Sequence, residues 1–153
     1  MIKYVNTMVT FSEVPDEISL CIEISNCPCH CKGCHSAYLA EDIGEPLTVN
    51  ELKNLIQKSD GITCISFMGG DSDPSEINNL ARWIKRFMHN KYKVAWYSGR
   101  QELSKDIDLK NFDAIKLGPY TEELGPLTKN TTNQRFYKVI NNELIDNTYL
   151  FWK

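Results

Sequence analysis

Short apolar runs alternate with amphipathic segments along most of this chain. Residues 18–25 alternate apolar with polar side chains for much of their length, which predicts a strand. Residues 62–68, 94–98 and 114–117 are short, largely apolar runs that each end at a glycine, and they predict further strands. Residues 2–11 favour one more strand at the start of the chain.

Two segments repeat apolar residues at the helical period instead. Thr48-Val49-Asn50-Glu51 is a capping box, in which Thr48 and Glu51 satisfy each other's exposed amides, and it predicts a helix that ends near Ser59. A second helix is predicted after Pro74-Ser75, with a basic set on its solvent face. The apolar stripes are Val49, Leu52, Leu55 and Ile56 in the first helix and Ile77, Leu80, Ala81, Ile84, Phe87 and Met88 in the second, whose basic set is Arg82, Lys85, Arg86 and His89.

The order strand, helix, strand, helix, strand predicts a parallel sheet with right-handed crossovers. The ligand site of such a sheet lies where the carboxyl ends of its strands open into loops. Residues 135–140 and 143–152 flank Asn141-Asn142, whose tolerance of positive φ predicts a tight hairpin near the end of the chain.

The length of 153 residues, with 17 basic and 20 acidic side chains, predicts a single domain over residues 1–153. A complete eightfold β/α barrel needs roughly 200 residues or more, so that only a shortened barrel fits. The net charge of −3 provides no general attraction to phosphate backbones, which argues against a nucleic-acid partner. No stretch reaches the roughly 18 apolar residues of a membrane helix, and residues 1–6 lack the layout of a secretory signal, so we expect a cytoplasmic protein without a membrane partner.

Cysteine is the residue type that changes this picture. Five of the six cysteines lie between Cys21 and Cys34, which in a reducing cytosol favours metal binding or redox chemistry over crosslinks. Cys27, Cys31 and Cys34 form the spacing C-x3-C-x2-C directly after a predicted strand. An ordinary cubane iron-sulfur cluster has four cysteine ligands, so three thiolates leave one iron with an open coordination position, where substrate can bind.

Other interpretations of the cysteines stay open. A structural zinc site could combine Cys31 and Cys34 with Cys27, Cys29, His30 or His35 to make four ligands. Zinc sites usually pair two such knuckles, however, and this chain has no second one downstream. We interpret Cys29 as a bystander thiol outside the triplet. Cys21 and Cys64 sit inside strand patterns and are most simply small buried hydrophobic residues.

The cysteine spacing resembles that of the radical S-adenosylmethionine (SAM) enzymes, whose signature is the same C-x3-C-x2-C. The resemblance implies a 4Fe-4S cluster on Cys27, Cys31 and Cys34, with SAM chelated at the remaining iron. One electron from the reduced cluster then cleaves SAM into methionine and a 5′-deoxyadenosyl radical. Gly33 stands between the last two cysteines, where most members carry an aromatic residue. A glycine at this position resembles the activating proteins of anaerobic ribonucleotide reductase.

The resemblance extends to later landmarks. Gly69-Gly70-Asp71 resembles the family motif that contacts the amino group of SAM, and exposed carbonyls there can receive an ammonium. Ser98, at the end of its strand, resembles the landmark near the SAM ribose and carboxylate. By position, His35 could help to frame the adenine. Lys116 lies near a polar position of the family, but we expect its side chain to face solvent.

As a whole, the resemblance implies an α/β fold: a truncated, partial TIM-like β/α barrel of the radical SAM type, with five or six strands. It implies a radical SAM oxidoreductase that acts as a glycyl-radical-enzyme activase, removing hydrogen from a glycine Cα of the large subunit of anaerobic ribonucleoside-triphosphate reductase. A partial barrel leaves its lateral mouth uncovered for a loop of such a protein substrate. The resemblance also implies an external electron donor, such as a reduced flavodoxin.

Two alternatives are kept beside this interpretation. One is a small-molecule radical SAM enzyme similar to carboxy-deazaguanine synthase, and the other is a non-enzymatic zinc-binding interaction module. Iron and sulfide in anaerobically purified protein would favour the cluster, and one colourless zinc ion per chain would favour the module.

Overall fold

A computed structural model describes residues 2–29 and 37–152. The strands are β1 Lys3–Thr10, β2 Ser19–Ile24, β3 Glu45–Pro46, β4 Cys64–Met68, β5 Lys93–Tyr97, β6 Ala114–Leu117, β7 Arg135–Ile140 and β8 Glu143–Asp146. The α-helices are α1 Val49–Gln57 and α2 Pro74–Phe87, and 3-10 turns span Ala37–Ala40, Leu109–Asn111 and Thr148–Phe151. The strands predicted over 2–11, 18–25, 62–68, 94–98 and 114–117 are all confirmed, with ends that differ by at most two residues.

The eight strands form one mixed sheet in the order β3-β1-β2-β4-β5-β6-β7-β8. The pairs β2–β4, β4–β5 and β5–β6 are parallel, which confirms the parallel sheet expected from the alternation of strands and helices. The outer strands β1 and β3 on one side, and β7 and β8 on the other, pair in antiparallel fashion. The parallel strands follow one another in chain order, as in the wall of a barrel, and their closure into a truncated barrel stays a prediction.

The parallel strands are covered on both faces, which explains their nearly continuous apolar sequences. On one face, buried side chains such as Phe67 and Trp96 pack with the apolar stripes of the two helices. On the other face, Tyr97 and Phe136 pack with Val14, which comes from the connection between β1 and β2. The Tyr97 hydroxyl also donates a hydrogen bond to the backbone carbonyl of Glu13, so the same connection is anchored on this face.

The helix starts follow from side-chain capping. The Thr48 hydroxyl accepts a hydrogen bond from the Glu51 amide at 3.1 Å, and the Asp73 carboxylate accepts one from the Glu76 amide at 3.2 Å. The side chain of Lys85 departs from its predicted position on the solvent face, because it forms an ion pair with Asp113 at the start of β6. Within residues 2–29 and 37–152, no helix combines the length and the hydropathy that a membrane span needs.

The predicted hairpin is confirmed, but its second arm is short. Asn141 and Asn142 have φ of 53° and 63°, as a two-residue turn of this kind requires. The strand ends at Asp146, because its carboxylate accepts the amide of Thr148 and turns the chain. The buried Thr148 hydroxyl then accepts the Phe136 amide at 2.8 Å, in place of a strand partner.

Candidate metal centre

The carboxyl ends of β2, β4 and β5 meet at one edge of the sheet. Cys27 and Cys29 follow β2, Asp71 follows β4, and Ser98 follows β5. The sulfur atoms of Cys27 and Cys29 and a carboxylate oxygen of Asp71 all lie within 4.8 Å of one another. Residues that are far apart in the sequence therefore form one group of potential metal ligands.

The remaining predicted residues of the cysteine loop, Cys31, Cys34 and His35, lie outside the described residues. Of the triplet, the structure therefore places Cys27, which is half-buried. The other site residues inferred from sequence, Gly69 to Asp71 and Ser98, are brought to the same edge.

Asp71 joins the ends of two neighbouring strands. Its side chain is buried, at 7% exposure, and one carboxylate oxygen accepts a hydrogen bond from the Ser98 hydroxyl. The other oxygen accepts the Gly99 amide at 2.8 Å. The Ser98 hydroxyl in turn accepts the Arg100 amide at 3.0 Å. A buried carboxylate is thus satisfied by donors from the β5 end, as burial of a charge requires.

The two glycines before Asp71 adopt backbone conformations that other residues rarely reach. Gly69 and Gly70 have φ of +107° and +94°. A Cβ on Gly70 would lie 2.6 Å from Cδ1 of Ile77, so the loop packs tightly against α2. The sequence led us to expect exposed carbonyls here, but both carbonyl oxygens already accept hydrogen bonds. The Gly69 oxygen accepts one from the Trp96 indole N–H at 2.7 Å, and the Gly70 oxygen accepts one from the Asp73 amide. A carbonyl oxygen has two lone pairs, and each of these bonds uses one of them.

Cys29 lies next to Cys27 and Asp71 in the structure, although it is not part of the C-x3-C-x2-C triplet. Its Sγ donates a weak hydrogen bond to Asp71 at 3.8 Å. A Cβ on Gly99 would lie 2.9 Å from the same sulfur, so the glycine makes room for Cys29. Burial, followed by the negative charge of Asp71, raises the pKa of the Cys29 thiol to about 12, against an opposing effect of Arg100. Only the folded chain brings Gly99 to Cys29.

Of this group, Cys27 fits an iron-sulfur cluster, because sulfur ligands suit iron and the residue lies at a strand edge where loops can surround a cofactor. A family model described as "4Fe-4S single cluster domain" matches residues 18–141. This chain belongs to that 4Fe-4S single cluster domain family. No curated protein and no solved structure shows a significant match. The match spans the strand that precedes the cysteines and both strands that carry Asp71 and Ser98.

In this 4Fe-4S single cluster domain, Lys116 supports the site and does not face solvent as the sequence led us to expect. Its ammonium donates hydrogen bonds to the backbone carbonyls of Ser98 at 3.1 Å and Gly118 at 3.0 Å. The lysine therefore holds the ends of β5 and β6 together. Sequence patterns could not reveal this role, because both acceptors are backbone atoms.

A cavity of about 490 Å³ adjoins the site on the face of the sheet opposite the helices. Met68 and Tyr97, which line it, directly precede Gly69 and Ser98 along the chain. The full lining is Ser12, Glu13, Met68, Tyr97, Lys116, Tyr120, Pro126, Leu127, Thr128, Gln134 and Phe151. Burial, and then the charge of Glu23, raises the pKa of the Glu13 carboxyl, which favours its neutral form.

Two cysteines of the domain lie away from this edge. Cys21 and Cys64 are 2% and 1% exposed, which confirms their interpretation as buried residues inside strands. Burial raises the pKa of each thiol to about 12. Their burial inside β2 and β4, away from this edge, places both thiols outside the candidate metal centre.

Proposed function

We propose that this protein is a radical SAM activase, which cleaves SAM reductively at its 4Fe-4S cluster and generates a glycyl radical on anaerobic ribonucleoside-triphosphate reductase. The convergence of Cys27, Asp71 and Ser98 at one edge of the sheet carries the proposal, because these residues represent three separate landmarks of the radical SAM resemblance. The cluster itself is supported by the family to which the chain belongs.

In this proposal Cys27, Cys31 and Cys34 hold the cluster. When bound, the cluster would supply the one-electron reduction that cleaves SAM to release methionine, the chemistry that removal of a hydrogen atom from a glycine Cα requires. The open carbonyl lone pairs of Gly69 and Gly70 are acceptors for the SAM ammonium. The hydrogen bond from the Ser98 hydroxyl to the Asp71 carboxylate keeps the loop after β4 at a fixed position relative to the end of β5.

A protein substrate is supported by apolar side chains on the segments that line the cavity. Phe11, which precedes the lining residue Ser12, is 82% exposed. Tyr149 and Leu150, which precede the lining residue Phe151, are 60% and 39% exposed. Exposed apolar groups beside a cavity favour contact with another protein surface over capture of a small polar molecule alone.

The proposal includes the wider setting of the activase. We expect a partial β/α barrel whose wall is formed by the parallel strands β2, β4, β5 and β6. An external one-electron donor such as reduced flavodoxin is needed, and the reaction belongs in the cytoplasm, beside the reductase. His35 is kept as a candidate for framing the adenine of SAM.

The experiment is anaerobic reconstitution with iron, sulfide, SAM and dithionite beside a candidate reductase, followed by electron paramagnetic resonance. The expected result is a glycyl radical signal on the reductase that depends on SAM. Cys31→Ala should abolish the signal, while Cys64→Ala, which removes a buried thiol far from the cluster loop in sequence, should preserve it. A Cys31→Ala protein that still produced the radical would refute the ligand set.

The same samples separate the alternative functions. If candidate small molecules stimulate SAM cleavage and the reductase does not, the protein is a small-molecule radical SAM enzyme. If anaerobically purified protein contains one zinc ion per chain and no iron, the activase proposal is wrong.

A further inference from the structure

Cys29 lies beside two groups of the candidate metal centre that have separate roles in the proposed function. Its Sγ, the Sγ of Cys27 and a carboxylate oxygen of Asp71 all lie within 4.8 Å of one another. In the proposed function Cys27 binds an iron of the cluster, and Asp71 belongs to the motif beside the amino group of SAM, which occupies the open iron. The Cys29 thiol therefore lies next to a cluster ligand and next to the position that SAM takes.

Packing between three strand ends holds the Cys29 sulfur at this place. Cys29 follows β2, Asp71 follows β4 and Gly99 follows β5. A Cβ on Gly99 would lie 2.9 Å from the Cys29 Sγ and 3.3 Å from its Cβ, so that any larger residue at this position would displace the thiol. The Asp71 oxygen that the Cys29 Sγ approaches at 3.8 Å also accepts the Gly99 amide at 2.8 Å. Tertiary contacts, and not only its neighbours in the cysteine loop, therefore place this sulfur.

Cys29 is also a chemically suitable ligand for the open iron. Iron-sulfur clusters are held by cysteine thiolates, ordinarily one for each iron of a 4Fe-4S cluster. The competing donor at this place is Asp71, but a carboxylate suits harder cations, and its two oxygens already accept hydrogen bonds from Ser98 and Gly99. Burial raises the pKa of the Cys29 thiol, but a metal ion deprotonates the thiol that it binds. The thiolate of Cys29 would therefore complete the usual set of four.

We propose that Cys29 is an exchangeable fourth ligand, whose thiolate binds the open iron while SAM is absent and is displaced when SAM binds. Cys27, Cys31 and Cys34 hold the cluster in both states, so Cys29 is not needed for cluster assembly. The exchange changes no oxidation state. The bond between iron and the Cys29 Sγ breaks, and the Sγ takes up the proton that the ammonium group of SAM loses when its nitrogen binds iron. This inference rests on the proposed function, since it needs both the three-cysteine cluster and SAM.

Mössbauer spectroscopy of the anaerobically reconstituted protein tests the ligand directly. Without SAM, we expect all irons of the wild-type cluster to share sulfur coordination, and SAM should shift one of them to the parameters of nitrogen and oxygen ligation. In Cys29→Ala one iron should differ from the others before SAM is added, because it has lost its thiolate. Cys64→Ala, which removes a buried thiol within β4, is the matched control and should give the wild-type spectra.

Oxidation with ferricyanide provides a second measurement. An iron that has no protein thiolate is the first to leave an oxidised cluster. Without SAM, Cys29→Ala should therefore lose one iron per cluster several times faster than wild type, which electron paramagnetic resonance records as growth of a 3Fe-4S signal. Added SAM should remove this difference, because it then occupies the same iron in both proteins.

The results separate this inference from the function on which it rests. Identical Mössbauer spectra of SAM-free wild type and Cys29→Ala, or equal rates of iron loss, would overturn the role of Cys29 and leave the three-cysteine cluster in place. The proposed function would fail instead if the wild type formed no glycyl radical on the reductase, whatever the Mössbauer spectra show for Cys29.

Discussion

The Ser98 hydroxyl donates a hydrogen bond to the Asp71 carboxylate, and both side chains are almost completely buried. The two residues follow neighbouring parallel strands, β4 and β5, at the same edge of the sheet. With the Gly99 amide also bound to Asp71, this carboxylate fixes the position of one strand end relative to the next. The candidate metal centre therefore includes a support that contains no cysteine.

Asp71→Ala should destabilise the protein by about 1 to 3 kcal/mol, because it leaves the donors of Ser98 and Gly99 without their buried acceptor. Asp71→Asn, which keeps one carbonyl oxygen, should lose less. Urea unfolding of the reconstituted proteins measures both effects. Ser72→Ala, at an exposed neighbouring position, is the control and should unfold like wild type. An unchanged midpoint for Asp71→Ala would show that these bonds do not support the loop.

Cysteine substitutions should distinguish the three proposed cluster ligands from Cys29, which lies beside them. We expect Cys27→Ala, Cys31→Ala and Cys34→Ala to lose iron and sulfide, because each removes a proposed thiolate ligand. Cys29→Ala should retain the cluster, since the site then keeps three thiolates. Iron and sulfide determinations after anaerobic reconstitution measure the content. Loss of iron from Cys29→Ala to the same degree as from Cys31→Ala would contradict the assignment of three ligands.

The stability of the fold should fall at alkaline pH. Burial raises the pKa of the Cys64 thiol from 9.0 to about 12, so the folded state keeps its proton after the unfolded chain has lost it. At pH values between these two pKa values, unfolding therefore releases a proton from Cys64. The free energy of unfolding then decreases as pH rises, by at most about 1.4 kcal/mol per pH unit for this group. Below pH 9 the contribution is fully present.

Unfolding by urea at several pH values measures this slope. Cys64→Ala should make the slope shallower above pH 9, whatever its effect on the stability at neutral pH. Cys21 and Tyr97 also have raised pKa values from burial, so part of the slope should persist in the variant. An identical slope in wild type and Cys64→Ala would show that this thiol titrates normally.

The pair of Lys85 and Asp113 should stabilise the contact between α2 and the start of β6. The side chains are only 16% and 31% exposed, and Asp113 also accepts the Val94 amide at 2.9 Å. Lys85→Met should reduce the free energy of unfolding by about 1 to 2 kcal/mol, because it leaves a half-buried carboxylate without its cation. The control Arg86→Met, at an exposed position of the same helix, should change it by less than about 0.5 kcal/mol. Equal stabilities of the two variants would argue against a contribution from the pair.

The sequence predicted local structure well where local chemistry decides it. The capping residue Thr48 starts α1, and the Asn141-Asn142 pair forms the hairpin turn, because both depend on backbone groups a few residues away. The second arm of the hairpin was predicted too long. The bonds of Thr148 to Phe136 and Asp146 end the strand early, and they connect residues whose distance depends on the folded hairpin.

The roles of charged side chains were harder to predict. Lys85 and Lys116 were both expected at the solvent, since a lysine at helical spacing or at a strand end usually faces water. In the fold Lys85 binds the carboxylate of Asp113, which directly precedes β6, and Lys116 binds two backbone carbonyls. Neither the Asp113 carboxylate nor the two carbonyls has a sequence pattern that marks it as a lysine partner, so the sequence alone could not predict these contacts.

By itself, the sequence determined the order of strands and helices, the cysteine spacing and the landmarks at the strand ends, because these depend on hydrophobic period and on neighbouring residues. Only the tertiary structure decided that Asp71 would accept hydrogen bonds from Ser98 and Gly99, that Cys29 would lie beside them, and that Lys116 would bind the carbonyls at the ends of β5 and β6. The physical reason is that parallel pairing brings the ends of distant strands to one edge. Contacts made there depend on register and packing across the sheet, which no local pattern encodes.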